Sequence, residues 1–344
     1  MPLRLAMLGM WHTHADGMVR QVCAHPEEFS LVGFHDPDPQ VVAQRTAQWS
    51  GLVPGFRLFD SPAELLRQPL DGVLVEGRVS SNVGFARQAI ESGIPVLLEK
   101  PAGINLREFV ELAELARSRR LHLQMAYLFR YMSAVQELLA RYQRGELGAI
   151  YLFRGRLPKD LALYSQLVEE LGVYRGGVFF EMAGHLIDLA VALAGTPRRV
   201  TSFMRHDHSE GPVDYIDNGL AVIEFDRALA VIDITGLEVA PSSRRIEVFG
   251  TGGAAVIPHL GSGHLANNAV QPIEVCRAGD SEWTTLKPAA ETLQIRDLRE
   301  FADVVCGRKS AMFTLDHDLV VQEALLRASG MLVSSQTQKS LLSN

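Results

Sequence analysis

Short apolar runs alternate with amphipathic segments along the first third of the chain. The apolar runs predict buried strands at 3–8, 31–34, 73–75, 94–98 and 121–126. The segments between them carry apolar residues three or four positions apart and predict helices at 18–26, 41–49, 82–91 and 105–119. The segment Ser61-Pro62-Ala63-Glu64 predicts the start of a further helix. Regular strand–helix alternation is typical of a doubly wound parallel sheet, so we expect an α/β fold here.

The rest of the chain has a different pattern. Two helical segments are predicted at 133–144 and 178–194, followed by strands at 200–205, 220–225, 229–235, 246–249 and 273–276. Because no helices separate these strands, they predict a mostly antiparallel or mixed sheet in an α+β arrangement. Two helices, at 291–305 and 315–334, complete the pattern. We therefore expect two domains, 1–122 and 123–344.

Composition narrows the class of protein. The 344 residues are 47% hydrophobic and 21% charged, which is typical of a globular chain with a sizeable core. A formal charge of −7 without a basic stripe argues against a nucleic-acid partner. No apolar run reaches the length of a membrane span. Three widely spaced cysteines form neither a disulfide framework nor a zinc pattern, so we expect a cytoplasmic protein.

A charged pair, Glu99-Lys100, follows the apolar run 94–98 directly. Ligands bind at the carboxyl edge of open α/β sheets, where such a strand ends. Lysine is scarce, with five in the whole chain, so Lys100 is a candidate functional residue. The alternative is an ordinary strand end with a solvated ion pair.

A dinucleotide site is indicated by Gly9, which ends the first strand, and by Asp36, which ends the second. A carboxylate at that position accepts hydrogen bonds from ribose hydroxyls and repels a 2′-phosphate, which favours NAD over NADP. Asp36-Pro37 is equally compatible with a simple turn. The glycine fingerprint is incomplete, because Trp11 and His14 stand where small residues normally let the backbone approach a pyrophosphate. Here His12 can donate to the phosphates instead.

The pair His12-x-His14 also suits metal chelation. Such chemistry needs further ligands at later strand ends, and His35, Asp36 and Glu99 are the available residues. The usual spacing of metal-dependent hydrolases is missing, so we expect no metal.

The predicted helix 178–194 carries Glu181, His185 and Asp188, which share one face at spacings of four and three. A carboxylate beside an imidazole raises its basicity and fixes its tautomer. His185 is therefore a candidate general base for a hydroxyl proton. The alternative is an ordinary helix with two acids and one histidine.

Together these motifs resemble the Gfo/Idh/MocA family of oxidoreductases, over nearly the whole chain. The matching segments, in chain order, are Glu99-Lys100-Pro101, Phe129-Arg130-Tyr131, Gly145-Glu146-Leu147-Gly148 before a strand, Gly176-Gly177 through His185 to Asp188, and Phe249 to Gly253. The resemblance implies an N-terminal Rossmann domain and a C-terminal α+β domain with a large open sheet. It also implies hydride transfer between a nicotinamide nucleotide and a sugar, polyol or similar carbinol.

Carried over by position, the resemblance implies that Lys100 contacts the substrate hydroxyl and that His185 accepts its proton. Glu181 stands where the family often has Asp, and would orient the imidazole. The residues expected to contact the cofactor are Gly9, Trp11, His12, Asp36, Gly77, Arg78, Asn82, Glu99 and Lys100. Those expected to line the substrate site, with His185, are Arg130, Tyr131, Lys159 and Tyr164.

Several positions depart from the family pattern. Gly77-Arg78 replaces a common Thr-Pro, and Asn82 stands where the family usually has His. With the incomplete glycine loop, these departures predict a remodelled nucleotide pocket. Two alternatives therefore stay open: a catalytically silent ligand-binding or regulatory protein, and a glycosidase or lyase that uses bound NAD catalytically. The resemblance further implies a homo-oligomer, a dimer or tetramer, formed through the C-terminal sheet.

Overall fold

The structure, a computed structural model, describes residues 1–159, 168, 170–207, 215–238, 243–260, 271–289 and 292–332. Contacts divide the chain into two units. The first unit comprises Met1–Tyr127 and Gln294–Leu319, and the second comprises Leu128–Leu293 and Val320–Asn344. The predicted domain boundary near residue 123 stays a prediction.

The first unit is built on a parallel sheet of five strands, as the sequence predicts. The strands are β1 (Leu3–Leu8), β2 (Phe29–His35), β3 (Gly72–Val75), β4 (Val96–Leu98) and β5 (Leu123–Met125), in the order β2-β1-β3-β4-β5. The helices of this stretch are α1 (His14–Ala24), α2 (Pro39–Trp49), α3 (Pro62–Leu66), α4 (Val79–Glu91) and α5 (Leu106–Arg119). All pairings are parallel, which confirms the doubly wound class.

The helices begin at polar caps that are visible in the sequence. The Ser61 hydroxyl accepts a hydrogen bond from the Glu64 amide at 3.3 Å, and the Asn105 side chain accepts one from the Arg107 amide at 3.1 Å. Each contact satisfies one of the amides that a first helical turn leaves without an intrahelical partner. The caps therefore fix where α3 and α5 start.

The strand order puts a switch point between β1 and β3, because the chain leaves β1 toward β2 on one side and returns to β3 on the other. Gly9 and Gly77, which follow these two strands, are in close backbone contact there. A Cβ added to Gly9 would lie 2.3 Å from the Gly77 Cα, and Gly9 has a φ of +77°. The sequence therefore needs glycine at position 9 for both space and conformation.

The second unit carries the larger sheet. It begins with a 3₁₀ turn (Leu128–Tyr131), α6 (Ser133–Gln143), β6 (Ile150–Arg156) and α7 (Gly177–Ala194). The remaining strands are β7 (Arg199–Arg205), β8 (Asn218–Glu224), β9 (Leu229–Thr235), β10 (Arg245–Gly250), β11 (Gly253–Ile257), β12 (Ile273–Arg277) and β13 (Thr284–Leu286). Two final helices, α8 (Leu293–Val305) and α9 (Leu315–Ala328), are divided between the two units.

This sheet is mixed, as expected. Its order is β13-β12-β11-β10-β6-β9-β8-β7, and only β6 and β9 pair in parallel among the described strands. Two strands, β11 and β13, were not predicted from the sequence. β11 is short and starts directly after the two-residue turn Thr251-Gly252, so its pattern is too brief to separate from the turn. β13 is an edge strand of three residues with little apolar character.

Helix α7 packs on this sheet, mainly against β9 and β6. It is the helix, among those described, that is long and apolar enough to pass a test for a membrane span, with a mean hydropathy of 1.6. However, 89% of that window is buried inside the protein, and a core helix passes the same test. This finding is weak evidence for a membrane span.

The contact between Gly9 and Gly77 can be tested by substitution with alanine. We expect Gly9→Ala to lower the free energy of unfolding by about 1–2 kcal/mol for the left-handed backbone, and by roughly 1–3 kcal/mol more for the clash with Gly77. Gly55→Ala is the matched control, because Gly55 has a φ of +67° with open space around its Cα. Urea denaturation of both variants measures the difference. Equal losses in the two variants would show that the close approach has no energetic weight.

Candidate functional site

The first turn of the parallel sheet is held by Asp36, at the end of β2. One of its carboxylate oxygens accepts a hydrogen bond from the Met10 amide at 2.6 Å, and the other accepts one from the Asp38 amide at 2.9 Å. A carboxylate offers about four lone-pair sites, so these two bonds leave acceptor capacity for a ligand hydroxyl. Asp36 thus fixes the turn and can still accept hydrogen bonds from ribose hydroxyls, as the sequence predicts.

A residue that sequence reasoning missed, Arg45, holds the same turn from below. Its guanidinium donates to the carbonyl oxygens of Met10 at 2.8 Å, His12 at 2.9 Å and Trp11 at 3.4 Å. It also lies over the Trp49 ring, at 5.0 Å from the centroid. Burial lowers the pKa of Arg45, and nearby acids oppose that effect. The spacing of Val41, Arg45 and Trp49 on one helix face was a signal that this arginine is buried.

Trp11 replaces the second glycine of the usual fingerprint. The Arg78 guanidinium lies over its ring, at 5.0 Å from the centroid, and donates to the Asp38 carboxylate at 3.1 Å. The three side chains form a layered cluster in which a cation lies between an aromatic face and a carboxylate. Trp11 is half-buried rather than fully enclosed.

Asn82 and Gly77 are brought together at the end of β3. The Asn82 side-chain oxygen accepts a hydrogen bond from the Gly77 amide at 2.9 Å, and Asn82 is buried. A Cβ on Gly77 would lie 3.0 Å from that same oxygen. Asn82 therefore closes the second turn at the switch point, as Asp36 closes the first.

Buried acids follow the next two strands. Glu99 comes after β4 and is 0% exposed, and Glu76 comes after β3 and is 1% exposed. Burial raises the pKa of Glu76 well above its usual value, and repulsion from Glu99 adds to this. Burial also acts to raise the pKa of Glu99, but His12, His14 and Lys100 outweigh it and lower that pKa. The pKa values of the two buried acids are therefore shifted in opposite directions.

Two histidines face these acids. His14 Nδ1 lies 3.0 Å from the Glu99 carboxylate, and His12 Nδ1 lies 3.7 Å from it and 3.8 Å from Glu76. An ion pair between His12 and these acids would need a proton on Nδ1. The His14 amide, however, donates a hydrogen bond to the same Nδ1 at 3.2 Å, and this needs a lone pair there. We assign the lone pair, because the hydrogen bond is the shorter contact.

Lys100 is 2% exposed and directly follows Glu99. Its peptide bond to Pro101 is cis. The charge of its ammonium opposes the rise in the pKa of Glu76 and contributes to the lowering of the pKa of Glu99. The side chain is therefore part of a buried charge cluster rather than a solvated ion pair at a strand end.

The second unit holds the predicted helical residues. Glu181, His185 and Asp188 are all buried on α7. The Phe129 ring stacks on the His185 ring, with centroids 4.4 Å apart and planes at 16°. Stacking against an aromatic face fixes the plane of the imidazole.

Asp188 forms a buried ion pair with Arg130. The carboxylate accepts from the Arg130 Nη2 at 2.6 Å and from its Nε at 3.0 and 3.1 Å. Because Arg130 and Phe129 are neighbours on the 3₁₀ turn, this pair anchors the turn that stacks on His185. Arg130, which the resemblance places at the substrate site, thus also has a structural contact.

The other residues expected at the substrate site are more scattered. Tyr131 is buried on the 3₁₀ turn, and the Lys159 ammonium lies 3.7 Å from the Met182 sulfur. Tyr164 lies outside the described residues. A residue not predicted is Tyr215, whose buried hydroxyl has no hydrogen-bond partner within the described part of the chain. Burial raises the pKa of Tyr215, and the charge of Glu181 adds to that rise.

A dinucleotide fits the first unit on these observations. The left-handed turn at Gly9 lies at the switch point and leads into α1, whose N-terminus is a favourable place for a phosphate. Asp36 retains acceptor capacity for ribose hydroxyls. The fold and these turns define the class of NAD(P)-binding two-domain oxidoreductases.

Comparison with known families identifies the chain within that class. Residues 3–127 match the oxidoreductase family with an NAD-binding Rossmann fold, and residues 135–256 match the Gfo/Idh/MocA C-terminal domain. The chain therefore belongs to the Gfo/Idh/MocA family of oxidoreductases, and its first unit has that family's NAD-binding Rossmann fold. The resemblance inferred from its motifs is confirmed.

Individual relatives are more distant. An inositol 2-dehydrogenase from Gluconacetobacter diazotrophicus is 24% identical over 213 residues, which are 58% of this chain and 60% of that protein. The matches span 44–60% of the length of the curated relatives considered.

Solved structures show the same fold. A levoglucosan dehydrogenase in complex with NADH and levoglucosan has a TM-score of 0.79 at 18% identity, covering 96% of this chain and 98% of that one. A 3-ketoreductase from Actinomadura kijaniata, in complex with NADP and TDP-benzene, has a TM-score of 0.77 at 16% identity, covering 95% and 97%. The fold thus occurs with both nucleotides.

The buried pair of Arg130 and Asp188 yields a stability prediction. Arg130→Met removes the guanidinium that donates three hydrogen bonds to the buried Asp188 carboxylate, so we expect a loss of about 3–5 kcal/mol in the free energy of unfolding. The double variant Arg130→Met/Asp188→Leu should lose much less than the sum of the two single changes. Arg107→Met, which breaks an exposed pair with Glu111, is the control and should cost about 0–1 kcal/mol. Denaturant titration of the wild type and the four variants checks this, and additive losses in the double variant would contradict the coupling.

Proposed function

We propose that the protein is an NAD-dependent dehydrogenase that oxidises a secondary alcohol of a sugar, a polyol or a similar carbinol. The observation that carries the proposal is the buried Lys100, which follows β4 at the same sheet edge as Gly9 and Asp36. An inositol dehydrogenase and a levoglucosan dehydrogenase among the similar proteins support this substrate class.

The first unit would hold the dinucleotide through its turns. Gly9 and Gly77 give backbone access at the switch point, and Asp36 would accept from the adenosine ribose. The remaining contacts with the dinucleotide are proposed to come from Trp11, His12, Arg78, Asn82 and Glu99. A bound nicotinamide dinucleotide supplies the hydride acceptor, at C4 of its ring.

The residues of the chain would handle the proton. As the alcohol is oxidised, the carbinol C–H bond breaks with its electron pair leaving as hydride, and His185 takes the hydroxyl proton. Lys100 would position the hydroxyl and stabilise developing negative charge on its oxygen. Glu181 would stabilise the resulting imidazolium. Arg130, Tyr131, Lys159 and Tyr164 are proposed to line the substrate.

We propose NAD rather than NADP as the preferred nucleotide. The Asp36 carboxylate would repel a 2′-phosphate. Arg78, a cation close to the same turn, is already paired with Asp38 and stacked on Trp11. The charge of Arg78 is therefore already neutralised by Asp38 and is not available to attract a 2′-phosphate.

The proposal is tested with a panel of sugars and polyols, followed by NADH absorbance with NAD⁺ or NADP⁺. We expect turnover with NAD⁺, and we expect Lys100→Met to lower kcat by at least about 10²-fold while the fold is kept. Lys287→Met, at an exposed lysine, is the control. His185→Ala should remove the rise of rate with pH that a general base produces. Near-normal turnover of Lys100→Met would refute its assigned role.

We also propose that the larger sheet forms a homo-oligomer. Four apolar residues on its strands are exposed: Tyr151, Phe203, Leu220 and Leu229. Phe203 and Leu220 are cross-strand partners, so they form one continuous patch. Light scattering should give a dimer or tetramer, and Phe203→Glu should shift it toward the monomer. A monomeric wild-type protein would contradict this proposal.

A further inference from the structure

Two histidines and a glutamate converge beneath the first turn of the parallel sheet. His12, His14 and Glu99 each offer one ligand atom, and these atoms lie within 4.8 Å of one another. His14 Nδ1 is 3.0 Å and His12 Nδ1 is 3.7 Å from the same Glu99 oxygen. In a tetrahedral zinc site with bonds of about 2.0–2.2 Å, ligand atoms lie about 3.3 Å apart. We propose that these three side chains bind one divalent transition-metal ion, and that Zn²⁺ suits them best.

The carboxylates support a cation here. Glu99 is 0% exposed, and its Oε1 has no hydrogen-bond partner within the described part of the chain. The same holds for the Oε2 atom of Glu76, which lies 3.8 Å from His12 Nδ1. Buried carboxylate oxygens are normally hydrogen-bonded or bound to metal. An ion held at the Glu99 Oε2, the oxygen that faces both histidines, would give this buried carboxylate a cation and bring Glu76 within reach as a fourth ligand.

The orientation of the His12 ring also supports a bound cation. Its Nδ1 accepts a hydrogen bond from the His14 amide, so this nitrogen presents a lone pair, and not a proton, toward Glu76 and Glu99. A lone pair facing the Glu99 carboxylate is repulsive, and a cation between the two converts that repulsion into attraction. His12 would ligate through Nδ1 by giving up this long hydrogen bond of 3.2 Å, or through Nε2.

The donor set selects the class of ion. Imidazole nitrogen with carboxylate oxygen suits Zn²⁺ and its first-row neighbours, whereas Mg²⁺ and Ca²⁺ require oxygen ligands. Two histidines and one glutamate supply three ligands, and the fourth position of a tetrahedral ion is filled by Glu76 or by a water. The His14 side chain is 25% exposed, which gives the site a route to solvent.

Two residues that the sequence offered as further ligands are engaged elsewhere. The His35 Nδ1 lies 2.9 Å from the Phe59 carbonyl, and both oxygens of Asp36 accept backbone amides. No metal was expected from the sequence, because the usual spacing of metal-dependent hydrolases is missing there. Glu99 and Glu76 reach the histidine pair because β1, β3 and β4 are neighbours in the sheet.

The test uses the metal alone, on protein freed of metal with EDTA and then of EDTA. Titration calorimetry with Zn²⁺ should show one equivalent bound, and Co²⁺ should give the visible bands of a tetrahedral site. We expect His14→Ala and Glu99→Gln each to weaken Zn²⁺ binding by at least about tenfold. His25→Ala is the matched control, because His25 lies at the other end of α1 and its Nδ1 contacts the Gln21 carbonyl.

A second readout separates binding from folding. Zn²⁺ should raise the Tm of the wild-type protein and of His25→Ala, but not that of His14→Ala. If Glu99→Gln does not fold, the His14→Ala variant alone tests the site, because His14 is partly exposed. Absence of bound Zn²⁺ in the wild type, or unchanged affinity in His14→Ala, would overturn the site. Neither readout involves a dinucleotide, so the result is independent of the proposed function.

Discussion

The first unit depends on one close backbone contact, between Gly9 and Gly77. A Cβ at Gly9 would lie 2.3 Å from the Gly77 Cα, so the two turns touch without side chains between them. This contact joins the ends of β1 and β3 at the point where the sheet order reverses. It fixes where Met10 to His12 run, and thus where Asp36 and Arg45 can hold them. The nucleotide edge exists only because this contact is possible.

The elements were largely predictable from the sequence, and the reasons are local. Apolar runs between turn residues marked the parallel strands, and Ser61 and Asn105 marked helix starts. Such signals need only the neighbours of a residue in the chain. The strands β11 and β13 were not predicted. A short strand beside a turn, or a short polar edge strand, has too few residues for its alternation of apolar and polar positions to be recognised.

The chemical site was less predictable, because it depends on strand order. Glu99 was visible as a charge after a strand, and Glu76 carries the same signal after β3. That both meet His12 follows from the adjacency of three strands, which periodicity does not reveal. Arg45 is an intermediate case, since its spacing with Val41 and Trp49 marked a buried face but not its three carbonyl partners.

We propose that the carboxyl edge of the first sheet binds a nicotinamide dinucleotide across the Gly9 turn. A crystal structure of the protein grown with NADH tests this most directly. We expect the adenosine ribose hydroxyls on Asp36, the pyrophosphate beside the Gly9 turn and the nicotinamide ring next to Lys100. A dinucleotide bound away from this edge, or crystals in which saturating NADH leaves the edge empty, would contradict it.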